Sequence, residues 1–258
     1  MAQPGFPEGP TLCIITGASR GLGRAIACEL RTLISGSSRL LLVARSESAL
    51  RDLSAHLDAV AVPADLSTAA GRQVLESAIL DISPSHFHHV LLFSNAGSLG
   101  DVSKFVADLS NPGEIESFLS FNVVTPAWLS GLILRHFPPK PDLRRTLVNI
   151  SSLCAKEPFP SWSLYCTAKA ANDMLFRVIA AENPDVRVLN YAPGPLDTNM
   201  QFQARTQTGD LALRCLFLEK SKQGELVRCD TSAHTLLQLI ALDEFQSGSH
   251  IDFYDLKV

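Results

Sequence analysis

Seven short runs of nearly continuous apolar residues, separated by stretches of helical pattern, constrain this chain more than any other feature. The first is Leu12-Cys13-Ile14-Ile15, ended by Thr16-Gly17. Arg39-Leu40-Leu41-Leu42-Val43, Val60-Ala61-Val62 (closed by Pro63), Val90-Leu91-Leu92-Phe93, Thr146-Leu147-Val148-Asn149-Ile150 and Val186-Arg187-Val188-Leu189-Asn190-Tyr191 follow. Ile251-Asp252-Phe253-Tyr254 closes the series. Helical patterns cover 22–33, 47–57 and 168–181, and Ser46 and Thr68 stand where they can cap helix starts. Strands without polar alternation need burial on both faces, which a parallel sheet between two helical layers supplies. Right-handed crossovers make such a sheet doubly wound. The expectation is one α/β domain over 1–258, a Rossmann-type doubly wound parallel sheet of about seven strands with helices on both faces. Residues 1–10, rich in Pro and Gly, read as a loose arm. Residues 201–230, polar and then apolar with Gly209 and Gly224, read as a helical lid.

Composition excludes several classes of function. At 46% hydrophobic and 19% charged, the 258 residues can bury a sizeable core, so disorder is excluded. The net charge is −4 and no Lys/Arg run stands out, so a nucleic-acid partner lacks its electrostatic footprint. The N-terminus does not read as a signal peptide, and no uninterrupted apolar stretch reads as long enough to span a bilayer. Cys13, Cys28, Cys154, Cys166, Cys215 and Cys229 are scattered without metal-ligand spacing and read as free thiols of a cytoplasmic protein. His86-Phe87-His88-His89 reads as a surface turn, so no metal site is expected.

After the first strand comes Thr16-Gly17-Ala18-Ser19-Arg20-Gly21-Leu22-Gly23. Glycines here let the backbone turn tightly and approach a pyrophosphate, and the following helix offers unpaired N–H groups and a positive dipole end. The spacing is G-x-x-x-G-x-G rather than the usual G-x-G-x-x-G. The second strand ends Val43-Ala44-Arg45. An acidic residue near this place suits the ribose 2′-hydroxyl of NAD, whereas arginine suits the 2′-phosphate of NADP. Arg20 in the loop supplies a second guanidinium, so the cofactor expected is NADP(H). Glu47 lies close enough to leave open that Arg45 is only a solvated strand-end charge.

Tyr165-Cys166-Thr167-Ala168-Lys169 places a phenol and an ammonium on one face of a helix. A phenol with a pKa of about 10 needs help to exchange protons near neutrality, and a nearby ammonium favours the phenolate. Ser151 and Ser152 follow the fifth strand, at the strand C-termini where ligands bind in such sheets. A hydroxyl there can bond a substrate carbonyl, although at least one of the two serines also fits a turn or cap.

These motifs together resemble the short-chain dehydrogenase/reductase family: the loop 16–23, Asn95-Ala96-Gly97, Asn122, Ser152, Tyr165, Lys169 and Pro193-Gly194, in order across nearly the whole chain. The resemblance implies that Tyr165 donates a proton, Lys169 binds the nicotinamide ribose and lowers the tyrosine's pKa, Ser152 polarises the carbonyl, and Asn122 holds a water in a proton relay. Asn95 would support sheet and cofactor site. Ser94 departs from the family, where many members have a second asparagine. Cofactor contacts are further implied for Gly17, Ser19, Arg20, Gly21, Leu22, Gly23, Ala44, Arg45, Asp65 and Leu66. Leu196, Asp197, Thr198, Met200 and Gln201 are implied in the same way.

Longer strings resemble a pterin-reducing branch of that family: residues 95–104, Ile150-Ser151-Ser152-Leu153-Cys154-Ala155, residues 190–198 and Asp252-Phe253-Tyr254-Asp255. The branch implies a homodimer that reduces side-chain carbonyls of pterins in tetrahydrobiopterin synthesis, with substrate contacts from Ser151, Ser152, Tyr165, Gly194 and Asp252. A carboxylate at Asp252 can accept two bonds from the pterin 2-amino group and adjacent ring N–H, although by its own residues Asp252 fits equally a group that only closes a strand end. Phe159 and Trp162 either wall the pterin or are core aromatics. Lys156-Glu157 is unusual for the branch and leaves a shifted substrate preference open. A broader carbonyl or hydroxysteroid reductase would share the family motifs. A non-catalytic NADPH sensor would be expected to lack Tyr, Lys or Ser, and all three are present.

Overall fold

The computed structural model describes Phe6 and residues 9–256, so most of the arm expected over 1–10 lies outside the described residues. Seven parallel strands form one sheet: β1 (Thr11–Thr16), β2 (Arg39–Ala44), β3 (Val60–Pro63), β4 (His89–Ser94), β5 (Arg144–Ile150), β6 (Val186–Ala192) and β7 (His250–Asp252). Their spatial order is β3-β2-β1-β4-β5-β6-β7. The chain therefore winds outward in both directions from the β1–β4 pair, which makes the crevice above that pair the topological switch point.

Alternate residues of each strand face opposite layers. Cys13 and Ile15 of β1 join a core with α1 (Gly21–Leu33), α2 (Glu47–Leu57) and α9 (Cys229–Leu242). Leu12 and Ile14 join a second core with α3 (Ala69–Leu80), α5 (Thr125–His136) and α6 (Ser163–Glu182). A third, smaller cluster lies above the strand ends, where α7 (Asn199–Gln207) and α8 (Leu211–Lys222) pack. The lid region is thus two helices, and Cys229 and Asp230 already belong to α9.

Several local expectations are corrected. The last strand stops at Asp252 because Asp252 and Asp255 form a capping box that turns Phe253–Asp255 into a 3₁₀ turn. Thr68 caps α3 by accepting from Gly71 N, but Ser46, at the matching place on α2, makes no side-chain cap bond. Within the histidine string, His86 and His88 are exposed, but His89 is fully buried in β4 and bonds Thr146 Oγ1 through Nε2 at 2.9 Å. Burial and the Arg144 charge hold its pKa down to about 3, so the ring is neutral. Finally, α4 (Pro112–Leu119), a π-helical turn (Ser120–Val124) and α5 run on as 25 helical residues, with a mean hydropathy of 1.4 in the most apolar window. That is long and apolar enough to cross a membrane by composition alone. Its apolar residues Leu129, Leu132 and Ile133, however, are buried in the second core.

The ends of β1 and β4 are clasped together. Thr16 Oγ1 accepts from Asn95 N at 3.0 Å and Ala96 N at 2.9 Å, and Asn95 Nδ2 donates to Thr16 O at 2.8 Å. Gly17 has φ +69°, a conformation that side chains disfavour. Gly23 is needed for close approach: a Cβ there would lie 2.4 Å from Gly17 O and 2.6 Å from Asn95 Nδ2. Gly23→Ala is expected to destabilise the protein by about 1–3 kcal/mol through overpacking. Gly36→Ala, where a Cβ meets nothing within 4 Å, should stay within about 0.5 kcal/mol. Equal melting temperatures for the two variants would contradict this account of the turn.

Candidate active site

A cleft of about 1220 Å³ opens over the switch point. Its floor at one end is the glycine turn: Gly17, Ser19, Arg20, Gly21 and Leu22 all line it. Ala18 N donates to Val43 O at 3.1 Å and so ties this turn to the end of β2. Helix α1 starts at Gly21 with no side-chain cap, leaving its first-turn N–H groups directed at the cleft. Arg20 and Arg45 are exposed, with Ala44 and Leu66 beside them along the wall. Gly23 lies behind the turn, and the Asp65 carboxylate accepts from Ser67 N and Oγ at 3.0 and 2.7 Å instead of facing the cleft.

The uncapped helix start, the tight turn and two exposed guanidiniums fit the pyrophosphate and 2′-phosphate of NADP(H). Asn95 lines the middle of the cleft, and Leu196, Asp197, Thr198, Met200 and Gln201 face it from the segment after β6. Val227 N donates to Pro195 O and Asp197 N to Val227 O, which fastens that segment to the stretch leading into α9.

The reactive groups converge at the C-terminal end of β5. Tyr165, 8% exposed, and Lys169 sit one turn apart on α6, with the Lys169 Nζ 5.5 Å from the Tyr165 ring centroid. Lys169 Nζ donates to Ile150 O at 2.6 Å. Ser152 lines the cleft near enough to Tyr165 to oppose the rise in its pKa, and its own Oγ accepts from Cys154 N at 3.2 Å. Ser152 is therefore both the turn cap and the hydroxyl offered to the cleft. Ser151 lines the cleft, but its hydroxyl turns away and donates to Asp173 Oδ1.

Burial dominates the electrostatics. It pulls the Lys169 pKa down to about 8, opposed by attraction to Asp173. It also pushes the Tyr165 phenol above its ordinary value, with Cys154 adding to the effect and Ser152 opposing it. The direction is upward because an enclosed phenolate loses its hydration. At neutral pH the phenol keeps its proton.

Asn122 lies in the π-helical turn, a bulge of the kind that recurs at functional sites. Its Oδ1 accepts from Ser98 N at 2.9 Å and its Nδ2 donates to Phe118 O at 3.0 Å. It shares with Tyr165, Lys169, Asn149 and Asn172 a cavity of about 10 Å³, close to the size of one water. Asn172 Oδ1 is buried there without a protein partner.

Asp252 lines the far end of the cleft, with Gly194 and Tyr254 beside it. Its Oδ1 accepts from Tyr254 N at 3.0 Å. Phe159, Trp162 and Phe217 line the same cleft; the Trp162 and Phe217 rings stack at 5.3 Å. Trp162 Nε1 donates to Thr208 Oγ1 at 3.0 Å, so both aromatic residues named from the sequence are packed in a small core and face the cleft as well. Leu99, Leu216, Phe217 and Lys220 line the cleft and were not legible as site residues. The available signal was the apolar Leu216-Phe217-Leu218 string inside an otherwise polar lid.

A nucleotide-sized crevice at a topological switch point, with Ser, Tyr and Lys on its wall, defines a short-chain dehydrogenase. The model of that family, described as short chain dehydrogenase, matches residues 11–209, and the chain belongs to it. The chain is 50% identical over 255 residues to sepiapterin reductase of Bos taurus, covering 96% of each protein. It is 30% identical over 253 residues to benzil reductase ((S)-benzoin forming) of Bacillus subtilis, covering 95% of this chain and 98% of that one. Among solved structures, a short chain dehydrogenase/reductase of Saccharomyces cerevisiae superposes with a TM-score of 0.83 at 24% identity, over 96% of this chain and 97% of the other.

Both arginines are expected to serve the 2′-phosphate. Arg20→Ala and Arg45→Ala should each weaken NADPH binding about 10-fold or more, the scale of one charge-assisted contact, and leave NADH nearly unchanged. Fluorescence titration measures both constants; equal losses for the two cofactors would remove the arginines from 2′-phosphate recognition.

Proposed function

We propose that this protein is an NADPH-dependent carbonyl reductase whose substrates are pterins bearing a side-chain carbonyl, as in sepiapterin. The convergence of Ser152, Tyr165 and Lys169 on one wall of a cleft that ends at Asp252 carries the reading. Half-identity to sepiapterin reductases over nearly the whole length supports the substrate class. The benzil reductase relative favours a second reading, a reductase of wider carbonyl range.

In this reading the glycine turn, Arg20 and Arg45 would hold NADPH, which would supply a hydride for the carbonyl carbon when bound. The chain's own groups prepare the oxygen. Ser152 donates a hydrogen bond to it, and Tyr165, protonated at neutral pH, hands it a proton. Donors aimed at an oxygen that gains charge lower the barrier because they strengthen as the reaction proceeds. The Lys169 ammonium stabilises the phenolate left behind, and Asn122, at the water-sized cavity, serves the relay that returns a proton from solvent. Gly194 and Asp252 hold the pterin, the carboxylate accepting from its 2-amino group and ring N–H. The aromatic wall of Phe159, Trp162 and Phe217 packs against its rings.

The enzyme works as a homodimer in the cytoplasm, in tetrahydrobiopterin synthesis. Its six free cysteines suit a reducing compartment. Exposed Val124 at the end of the π-helical turn and Met174 and Val178 on α6 offer an apolar face to a second copy.

Tyr165→Phe should lower kcat by about 10²–10⁴-fold while NADPH affinity stays within a few-fold. Steady-state oxidation of NADPH with sepiapterin, repeated with NADH, tests both reaction and cofactor; an unchanged kcat removes Tyr165 from the mechanism. Asp252→Asn should cut kcat/KM for sepiapterin about 10–100-fold, the value of charged hydrogen bonds, and spare a small diketone. Equal loss on both substrates would refute the pterin anchor.

A further inference from the structure

Three consecutive residues at the end of β5 face three residues of α6, each one helical turn from the next. Ser152 lies beside Tyr165, Ile150 O accepts from Lys169 Nζ, and Ser151 Oγ donates to Asp173 Oδ1. The family motif uses the first two of those helix positions. Asp173 is the third, four residues beyond Lys169 and on the same face.

Asp173 is only 8% exposed, and a carboxylate so placed requires partners. It has three. Besides Ser151, Asn149 Nδ2 donates to Oδ1 at 3.2 Å, and His250 Nδ1 lies 2.5 Å from Oδ2. Asn149 is itself fixed by Asn190 Oδ1 at 2.9 Å. Donors from β5 and β7 thus keep a negative charge one turn below the reactive ammonium.

The groups facing this pair can be named element by element. Tyr165 lies on α6, Cys154 on the turn after β5, and His250 on β7. The π-helical turn, β5 and β6 bring the amides of Asn122, Asn149 and Asn190. Among these described groups, Asp173 is the one carboxylate whose charge favours the ammonium.

Resting on the reading of Lys169 as a catalytic group, we propose that Asp173 is a positioning residue: the buried counter-charge that keeps Lys169 in its ammonium form beside Tyr165. Ser151, Asn149 and His250 hold it there. The assignment gives Ser151 a role distinct from that of Ser152. It also ties the proton machinery to β7, whose last residue, Asp252, faces the cleft.

Two measurements test it. The first is kcat between pH 6 and 9.5 with whichever carbonyl the wild type turns over, sepiapterin or a diketone. Asp173→Asn should move the alkaline limb down by about one unit, so that kcat at pH 8.5 falls about tenfold further than at pH 6.5. Asp173→Glu, which keeps the charge, should return the limb toward its original place.

The second needs no cofactor. Burial sets the Lys169 pKa near 8 in the folded protein, below about 10.4 in the unfolded chain. The unfolded state then binds more protons between those values, and stability rises with pH across that window. Removing the Asp173 charge lowers the folded pKa further and opens the window earlier. The melting-temperature gap between wild type and Asp173→Asn should therefore narrow from pH 7 to pH 9, above the histidine range. A purely structural loss would leave the gap constant.

A superimposable pH profile with a constant gap overturns the proposal. If the Asn variant does not fold, Asp173→Ser, which retains a hydroxyl for His250, carries the same two tests. A wild type that oxidises no NADPH would refute the catalytic reading, while the stability gap would still decide whether Asp173 and Lys169 are paired.

Discussion

The clasp between Thr16 and Asn95 is the junction on which the rest of the site depends. Parallel strands leave their C-terminal carbonyls and N–H groups at one edge, and at a switch point the two neighbouring chain segments leave in opposite directions. Unless something closes that edge, buried polar groups are stranded. Here one hydroxyl accepts from two backbone N–H groups and one amide donates back to the strand. The glycine turn can then lie flat against β4, because neither Gly17 nor Gly23 carries a Cβ to obstruct Asn95. The cleft is the space these two turns leave between them.

Into this space the fold delivers an ammonium and a phenol that both resist charge. Burial lowers the pKa of Lys169 and raises that of Tyr165, so the pair would drift toward two neutral groups if left alone. A neutral phenol is useful, since it holds the proton to be donated. A neutral amine is not, since nothing would then stabilise the phenolate. The buried Asp173 resolves the asymmetry because its field acts chiefly on the closer cation. The same carboxylate would be a liability without Ser151, Asn149 and His250 to replace its hydration.

Much of this was legible in the sequence because it follows from patterns with short range. Continuous apolar strands, the glycine turn and the Tyr165–Lys169 spacing each depend on a few neighbouring residues, and all seven strands lie close to where periodicity puts them. What escaped depends on distant partners or on competition between local bonds. His89 reads as part of a polar turn, yet β1 and β5 flank it and Thr146 Oγ1 partners its Nε2, while its Nδ1 is buried without a partner. The last strand reads as four residues, but a capping box of two aspartates ends it after Asp252. Phe217 comes to the cleft from α8, held by Gln201 Nε2 on its carbonyl, while Gln203 Nε2 donates to Gly100 O and Gly209 N to Val102 O at the base of the lid. The sign of the Tyr165 shift required knowing how fully the ring is enclosed.

The two ends of the cleft divide the work of recognition by chemistry. At the glycine turn the contacts are backbone N–H groups and guanidiniums, which suit phosphate and little else. At the other end a carboxylate on β7 shares the cleft with an aromatic wall, a pairing that suits a flat heterocycle with adjacent N–H donors. Ser152, Tyr165 and Lys169 sit between them, on the one strand–helix junction that borders both. In the proposed reading, a heterocycle anchored at Asp252 and a dinucleotide anchored at the glycine turn would therefore meet beside the phenol. Their separation is set by the sheet, which is rigid, rather than by the lid. Substrate choice can then change through α8 and the aromatic wall while the reacting geometry stays where β5 and α6 fix it.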